Sequence, residues 1–117
     1  MLLICYPKCG TCRKAQKWLE DNGIGYDYRD IKTDNPSAEE LAGWIRASGK
    51  PARKFFNTSG MLYRDMQLKD KLPLMSEEEM ISLLATDGML VKRPIAVLPD
   101  DQILVGFREA EWESALK

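Results

Sequence analysis

The sequence predicts an α/β fold, a small mixed sheet assembled from a βαβ unit, a helical insertion, a β-hairpin and a closing helix. Three observations carry this reading. A short apolar run, Leu2-Leu3-Ile4-Cys5, leads through a tight connection into a pattern of helical period. A second extended segment, Tyr26 to Ile31, alternates with period two and completes a βαβ unit. Near the other end, Ile95-Ala96-Val97-Leu98 and Gln102-Ile103-Leu104-Val105 flank the turn residues Pro99-Asp100-Asp101.

Each element follows from local chemistry. Leu2 to Tyr6 is continuously apolar, as a strand covered on both faces is. The helix that starts near Gly10 carries Ala15, Trp18 and Leu19 at helical spacing, with Lys14, Lys17, Glu20 and Asp21 as its solvent face, and Asn22-Gly23 stops it. Ser37 with Glu40, and Ser76 with Glu79, form two capping boxes, one ahead of Leu41, Trp44 and Ile45, the other ahead of Met80, Ile81, Leu83 and Leu84. Gly49 terminates the first of these helices. Between them lie a helical turn over 51–56, a short helix over 61–66 and a connection over 72–75. Arg93-Pro94 opens the hairpin, where a proline costs no ladder hydrogen bond. Gly106 leads into a last helix carrying Trp112, Ala115 and Leu116. The whole chain, 1–117, reads as one domain with a helical insertion over about 37–88.

Composition bounds the function. Charged residues make up 30% and the net charge is −1, so bulk electrostatics favours neither nucleic acid nor an anionic membrane as partner. No apolar run approaches a membrane span, and Met1-Leu2-Leu3-Ile4 lacks the basic flank of a secretion signal. The expected compartment is the cytoplasm, where thiols stay reduced. With three cysteines and no histidine, a Cys–His nucleophile and a four-ligand Cys/His zinc site are both excluded, so no metal is expected.

The chemistry points to Tyr6-Pro7-Lys8-Cys9-Gly10-Thr11-Cys12-Arg13-Lys14. Cys9 falls at a strand-to-helix turn, where unpaired N–H groups and the helix dipole favour an anion. Lys8, Arg13 and Lys14 add positive charge. Both effects lower a cysteine pKa from its free value near ~8.5, and the thiolate is the nucleophile. Cys12 lies one helical turn on, on the same face, so a reversible Cys9–Cys12 disulfide is sterically reasonable. Cys5, inside the strand, reads as a buried apolar residue.

These residues resemble the arsenate reductase/Spx family of thioredoxin-like proteins. The resemblance rests on Tyr6 to Lys14, on Lys92-Arg93-Pro94-Ile95 before the hairpin and on Val105-Gly106-Phe107 after it, and it spans nearly the whole chain. It implies a thioredoxin-like fold and a cis Pro94 facing the first cysteine, with Arg93 beside Cys9. It also implies three functions. The first is a thiol–disulfide oxidoreductase with Cys9 as nucleophile, Cys12 as resolving thiol, and Arg93, Pro94 and Arg13 holding a disulfide or mixed-disulfide substrate. It binds no cofactor and relies on an external thiol reductant, glutathione or a thioredoxin system. The second is a redox-sensing regulator that binds RNA polymerase through its helical insertion, where Gly49 matches a family glycine. The third is arsenate reduction. Asn57 and the displaced Arg108 stand where the arsenate enzymes carry arginines, and a neutral amide does not replace a guanidinium fork on an oxyanion. A monomer is expected in each case.

Overall fold

A computed structural model describes residues 1–117. In chain order the elements are β1 (Leu2–Cys5), α1 (Gly10–Asp21), β2 (Asp27–Asp30), α2 (Ala38–Ser48), α3 (Met61–Asp65), α4 (Leu68–Lys71), α5 (Glu77–Leu84), β3 (Ile95–Val97), β4 (Ile103–Val105) and α6 (Glu109–Leu116). They fall into two compact units, Met1–Asp30 with Arg93–Lys117, and Ile31–Lys92 between them. The insertion therefore begins and ends several residues outside the helices that mark it in the sequence.

The first unit holds a four-stranded sheet in the order β2-β1-β3-β4. β1 and β2 are parallel, as a βαβ unit requires, while β1 with β3 and β3 with β4 are antiparallel. Leu3 pairs with Ala96 and Ala96 with Leu104, so these three share one face with Cys5. That face packs against Cys12, Ala15, Trp18 and Leu19 of α1 and Trp112 of α6. The Trp112 ring meets Trp18 and Phe107 edge-on, at 6.4 and 5.2 Å between centroids. Its Nε1–H donates to the Gly106 carbonyl at 3.0 Å, so burying the indole leaves no donor unsatisfied. Both helices of this unit thus lie on the same side of its sheet. β2 is an edge strand, and its Asp27 and Tyr28 are exposed instead of alternating in and out. Its period-two pattern is therefore not translated into alternating burial.

The second unit is helical. Both expected capping boxes are present, with the Ser37 and Ser76 hydroxyls accepting from the backbone N–H of Glu40 and Glu79, each at 3.1 Å. Gly49 closes α2 at φ 69°, a left-handed position that favours glycine. The 72–75 connection is in part helical, since α4 runs directly into a 3-10 turn at Leu72–Leu74. Its single buried residue, Leu68, is too little pattern to announce a helix. The unit closes where Asn57 N–H donates to the Leu90 carbonyl and Lys92 N–H to that of Phe55, both at 2.7 Å, around a Phe56–Val91 bridge. Gly88 is packed against backbone: a Cβ there would lie 1.9 Å from the Ile31 carbonyl oxygen.

Candidate active site

The first unit brings the sequence-nominated thiols to one end of its sheet. β1 ends at Cys5, and Cys9 N–H donates back to the Tyr6 carbonyl at 3.0 Å, which closes the loop into α1. Cys9 is the N-cap of α1 in extended backbone, and its side chain makes no capping hydrogen bond. No acidic residue sits in the first turn. The Cys9 side chain is half-buried and reachable, whereas Cys12, on the inward face with Ala15 and Leu19, is 0% exposed. All three cysteines are free thiols.

Cys12 is the meeting point. Its Sγ accepts the backbone N–H of Tyr6 at 3.5 Å. The thiols of Cys5 and Cys9 lie near enough to bear on its titration. Donors of this kind stabilise the thiolate over the thiol. The neighbouring Cys5 thiol is the largest influence and, with the Tyr6 N–H, the Cys9 thiol and the Arg93 charge, brings the Cys12 pKa down to about 7 against the opposing effect of burial. Cys5 moves the opposite way, pushed well above the usual thiol range because its proton is held in the bond to Cys12 and because it is buried.

The basic residues divide. The Arg93–Pro94 peptide is cis, and Pro94 opens β3. Continuing the β1–β3 register beyond Ile4–Ile95 sets Pro94 beside Cys5 and Arg93 beside Tyr6. The Arg93 guanidinium accordingly lies over the Tyr6 ring, 5.3 Å from its centroid, a cation–π contact that holds the charge at this end of the sheet. Arg13, exposed on α1, donates from Nε to the Pro7 carbonyl at 3.2 Å and so braces the loop from outside. Lys8 is exposed on the same loop.

Cys5 is a buried core residue, as the sequence reads it, and it lies beside Cys12 as well, while Tyr6 is in the sequence only part of the motif. A signal for Cys5 existed, since period two places it with Leu3 on the face that α1 covers, while Cys12 shares the inward helical face of Ala15 and Leu19.

The ArsC family model matches residues 5–115 of the chain. The chain belongs to the ArsC family. Among its relatives in that family, the uncharacterized protein YusI of Bacillus subtilis is 52% identical over 108 residues, 92% of this chain and 91% of its own. The global transcriptional regulator Spx 2 of Bacillus anthracis is 26% identical, over 95% of this chain and 82% of its own. A solved structure from Bacteroides fragilis, described as ArsC family related, superposes with a TM-score of 0.93 at 55% identity, covering 97% of this chain and 94% of that one. A possible arsenate reductase from Streptococcus mutans superposes with a TM-score of 0.87 at 43% identity, covering 98% and 97%. The fold is thus the thioredoxin-like α/β architecture of the ArsC family. No helix is long and apolar enough to cross a membrane.

Proposed function

We propose that this ArsC-family chain is a thiol–disulfide oxidoreductase of the cytoplasm that works with Cys9 and Cys12. The observation that carries the proposal is the asymmetry of the pair. Cys9 is accessible at a helix N-cap, and Cys12 is buried with its thiolate favoured. Cys9 gives its proton to the Cys12 sulfur and, as thiolate, attacks one sulfur of a substrate disulfide, and the first substrate thiol leaves. Cys12, deprotonated again, attacks Cys9 Sγ; a Cys9–Cys12 disulfide forms and the second substrate thiol leaves. Two electrons move from the dithiol to the substrate. An external thiol reductant, glutathione or a thioredoxin system, restores the pair. Arg93 and Arg13 supply positive charge for an anionic substrate such as a glutathione adduct, and the Pro94 backbone offers it an edge.

The test is to trap the intermediate. Cys12→Ser accumulates a mixed disulfide on Cys9, and Cys9→Ser forms none. A Cys12→Ser protein that turns over a protein disulfide at the wild-type rate removes the two-cysteine mechanism.

A second reading, a redox-sensing regulator, draws on the likeness to Spx 2 and on a cleft between α2 and α5 lined by Ile45, Arg46, Gly49, Lys50, Glu77 and Ile81. Stoichiometric co-purification with RNA polymerase would favour it. Arsenate reduction stands third, because Asn57 replaces a guanidinium the oxyanion would require. Arsenate-dependent oxidation of thiols tests it.

A further inference from the structure

Tyr6 meets Cys9, Cys12 and Arg93, yet the mechanism above gives its side chain no task. Its N–H donates to Cys12 Sγ at 3.5 Å and its carbonyl accepts the Cys9 N–H at 3.0 Å, so the main chain of this residue is fixed against both halves of the thiol pair. Its side chain is half-buried, and the ring carries the Arg93 guanidinium 5.3 Å from its centroid. An arginine stem is long and rich in rotamers; a ring face that attracts the guanidinium selects those that keep the charge at the Cys9 end of the sheet. That charge reaches the sulfurs of Cys12 and Cys5. Arg13, the other arginine of the site, is braced by the Pro7 carbonyl at 3.2 Å, a main-chain contact that does not involve the ring.

We propose that Tyr6 is a positioning residue that sets substrate specificity: its ring holds Arg93 at the Cys9 end of the sheet, so that anionic thiol substrates, a glutathione adduct among them, are favoured over neutral ones. The inference rests on the oxidoreductase reading of the same site and deepens it. Tyr6 acts through Arg93. An aliphatic side chain in its place leaves the Arg93 charge present but lets the stem roam, and the field at Cys9 weakens. Phenylalanine keeps the face and therefore the field. A cation–π contact at a part-exposed site shifts a population by about 2- to 5-fold, which sets the size of the effect.

The test compares the rates at which iodoacetate, an anion, and iodoacetamide, its neutral counterpart, alkylate Cys9 at low salt, with the label located by peptide mass. Both reagents need the thiolate, so the ratio of the two rates cancels any change in thiolate content and reads the local charge. The proteins are wild type, Tyr6→Phe, Tyr6→Leu, Arg93→Met and the Tyr6→Leu/Arg93→Met double variant. The ratio should fall by the stated factor in Tyr6→Leu and stay at the wild-type value in Tyr6→Phe. The double variant should match Arg93→Met, because with Arg93 gone the ring has no guanidinium to hold. Label on Cys5 or Cys12 marks a loosened fold, and Tyr6→Met then takes the place of Tyr6→Leu. In turnover, the same factor should enter the KM for a glutathione mixed disulfide and not that for hydroxyethyl disulfide, which is neutral. An unchanged ratio in the aliphatic variant overturns the inference. A fall in Tyr6→Phe as large as in Tyr6→Leu also overturns it by giving the role to the hydroxyl, and a further fall in the double variant does so by separating Tyr6 from Arg93. Equal KM changes for both disulfides overturn the specificity. The expected ratios in a protein without Cys9-dependent turnover would instead sink the oxidoreductase reading and leave the hold of Tyr6 on Arg93 standing.

Discussion

Replacing Cys5 with alanine tests the electrostatics of the site at its largest influence. The variant removes the buried thiol that is the largest influence lowering the Cys12 pKa, in a position too buried for water to substitute. A hydrogen bond to a charged group contributes roughly 1.5–3 kcal/mol. At about 1.4 kcal/mol per unit, its loss raises the Cys12 pKa by about 1–2 units from its value of about 7. The sign follows from which form the bond favours: the donor stabilises the thiolate, so without it Cys12 holds its proton to higher pH. The assay is thiolate absorbance against pH in a Cys9→Ser background, where the serine hydroxyl takes the place of the Cys9 donor and Cys5 titrates outside the range. The midpoint near 7 should move toward an ordinary thiol on adding Cys5→Ala. At pH 6.5 the resolving step in the Cys9-containing protein should slow roughly 3- to 10-fold, since the loss of thiolate is partly offset by the greater nucleophilicity of a more basic sulfur. An unchanged midpoint would refute the reasoning, as would a Cys5-containing protein that already titrates like a free thiol.

Other expectations follow from single contacts. Arg93→Met removes a charge that lowers the Cys12 pKa and the cation over Tyr6; the Cys12 titration should move up and the KM for glutathione mixed disulfides should rise, while Arg93→Lys should restore the titration better than the KM. Gly88→Ala forces a Cβ toward the Ile31 carbonyl and should lower the urea midpoint by the equivalent of about 1–3 kcal/mol, with the site chemistry unchanged in the protein that remains folded. Depression of the Cys12 pKa also makes the fold more stable as pH rises. The gain is complete above the pKa of an unfolded cysteine and is lost as pH falls through about 7, a dependence that denaturant unfolding should show in wild type and lack in Cys12→Ala.

How much of this was legible depended on whether the signal was local. The capping serines Ser37 and Ser76, the left-handed stop at Gly49 and the strand-to-helix placement of Cys9 are each written within a few residues, and they appear where the sequence puts them. The exposure of Asp27 and Tyr28 on β2 was not legible because burial depends on what covers each face of the sheet, which is a tertiary fact. Cys12 as the centre of the thiol cluster was not legible for the same reason. The sequence places cations and a helix start beside Cys9, but the sulfur on which thiols converge is chosen by how α1 lies across β1. Arg93 and Tyr6 are far apart in the chain and meet only through the β1–β3 register.

The most direct measurement of the central claim is multiple-turnover reduction of a glutathione mixed disulfide by the purified protein, against its Cys9→Ser form, with glutathione and a thioredoxin system supplied in turn. The account predicts turnover that one of these reductants sustains and that disappears with Cys9. A Cys9–Cys12 bond that forms and reverses stoichiometrically, with no turnover under either reductant, would contradict it and point to a sensor.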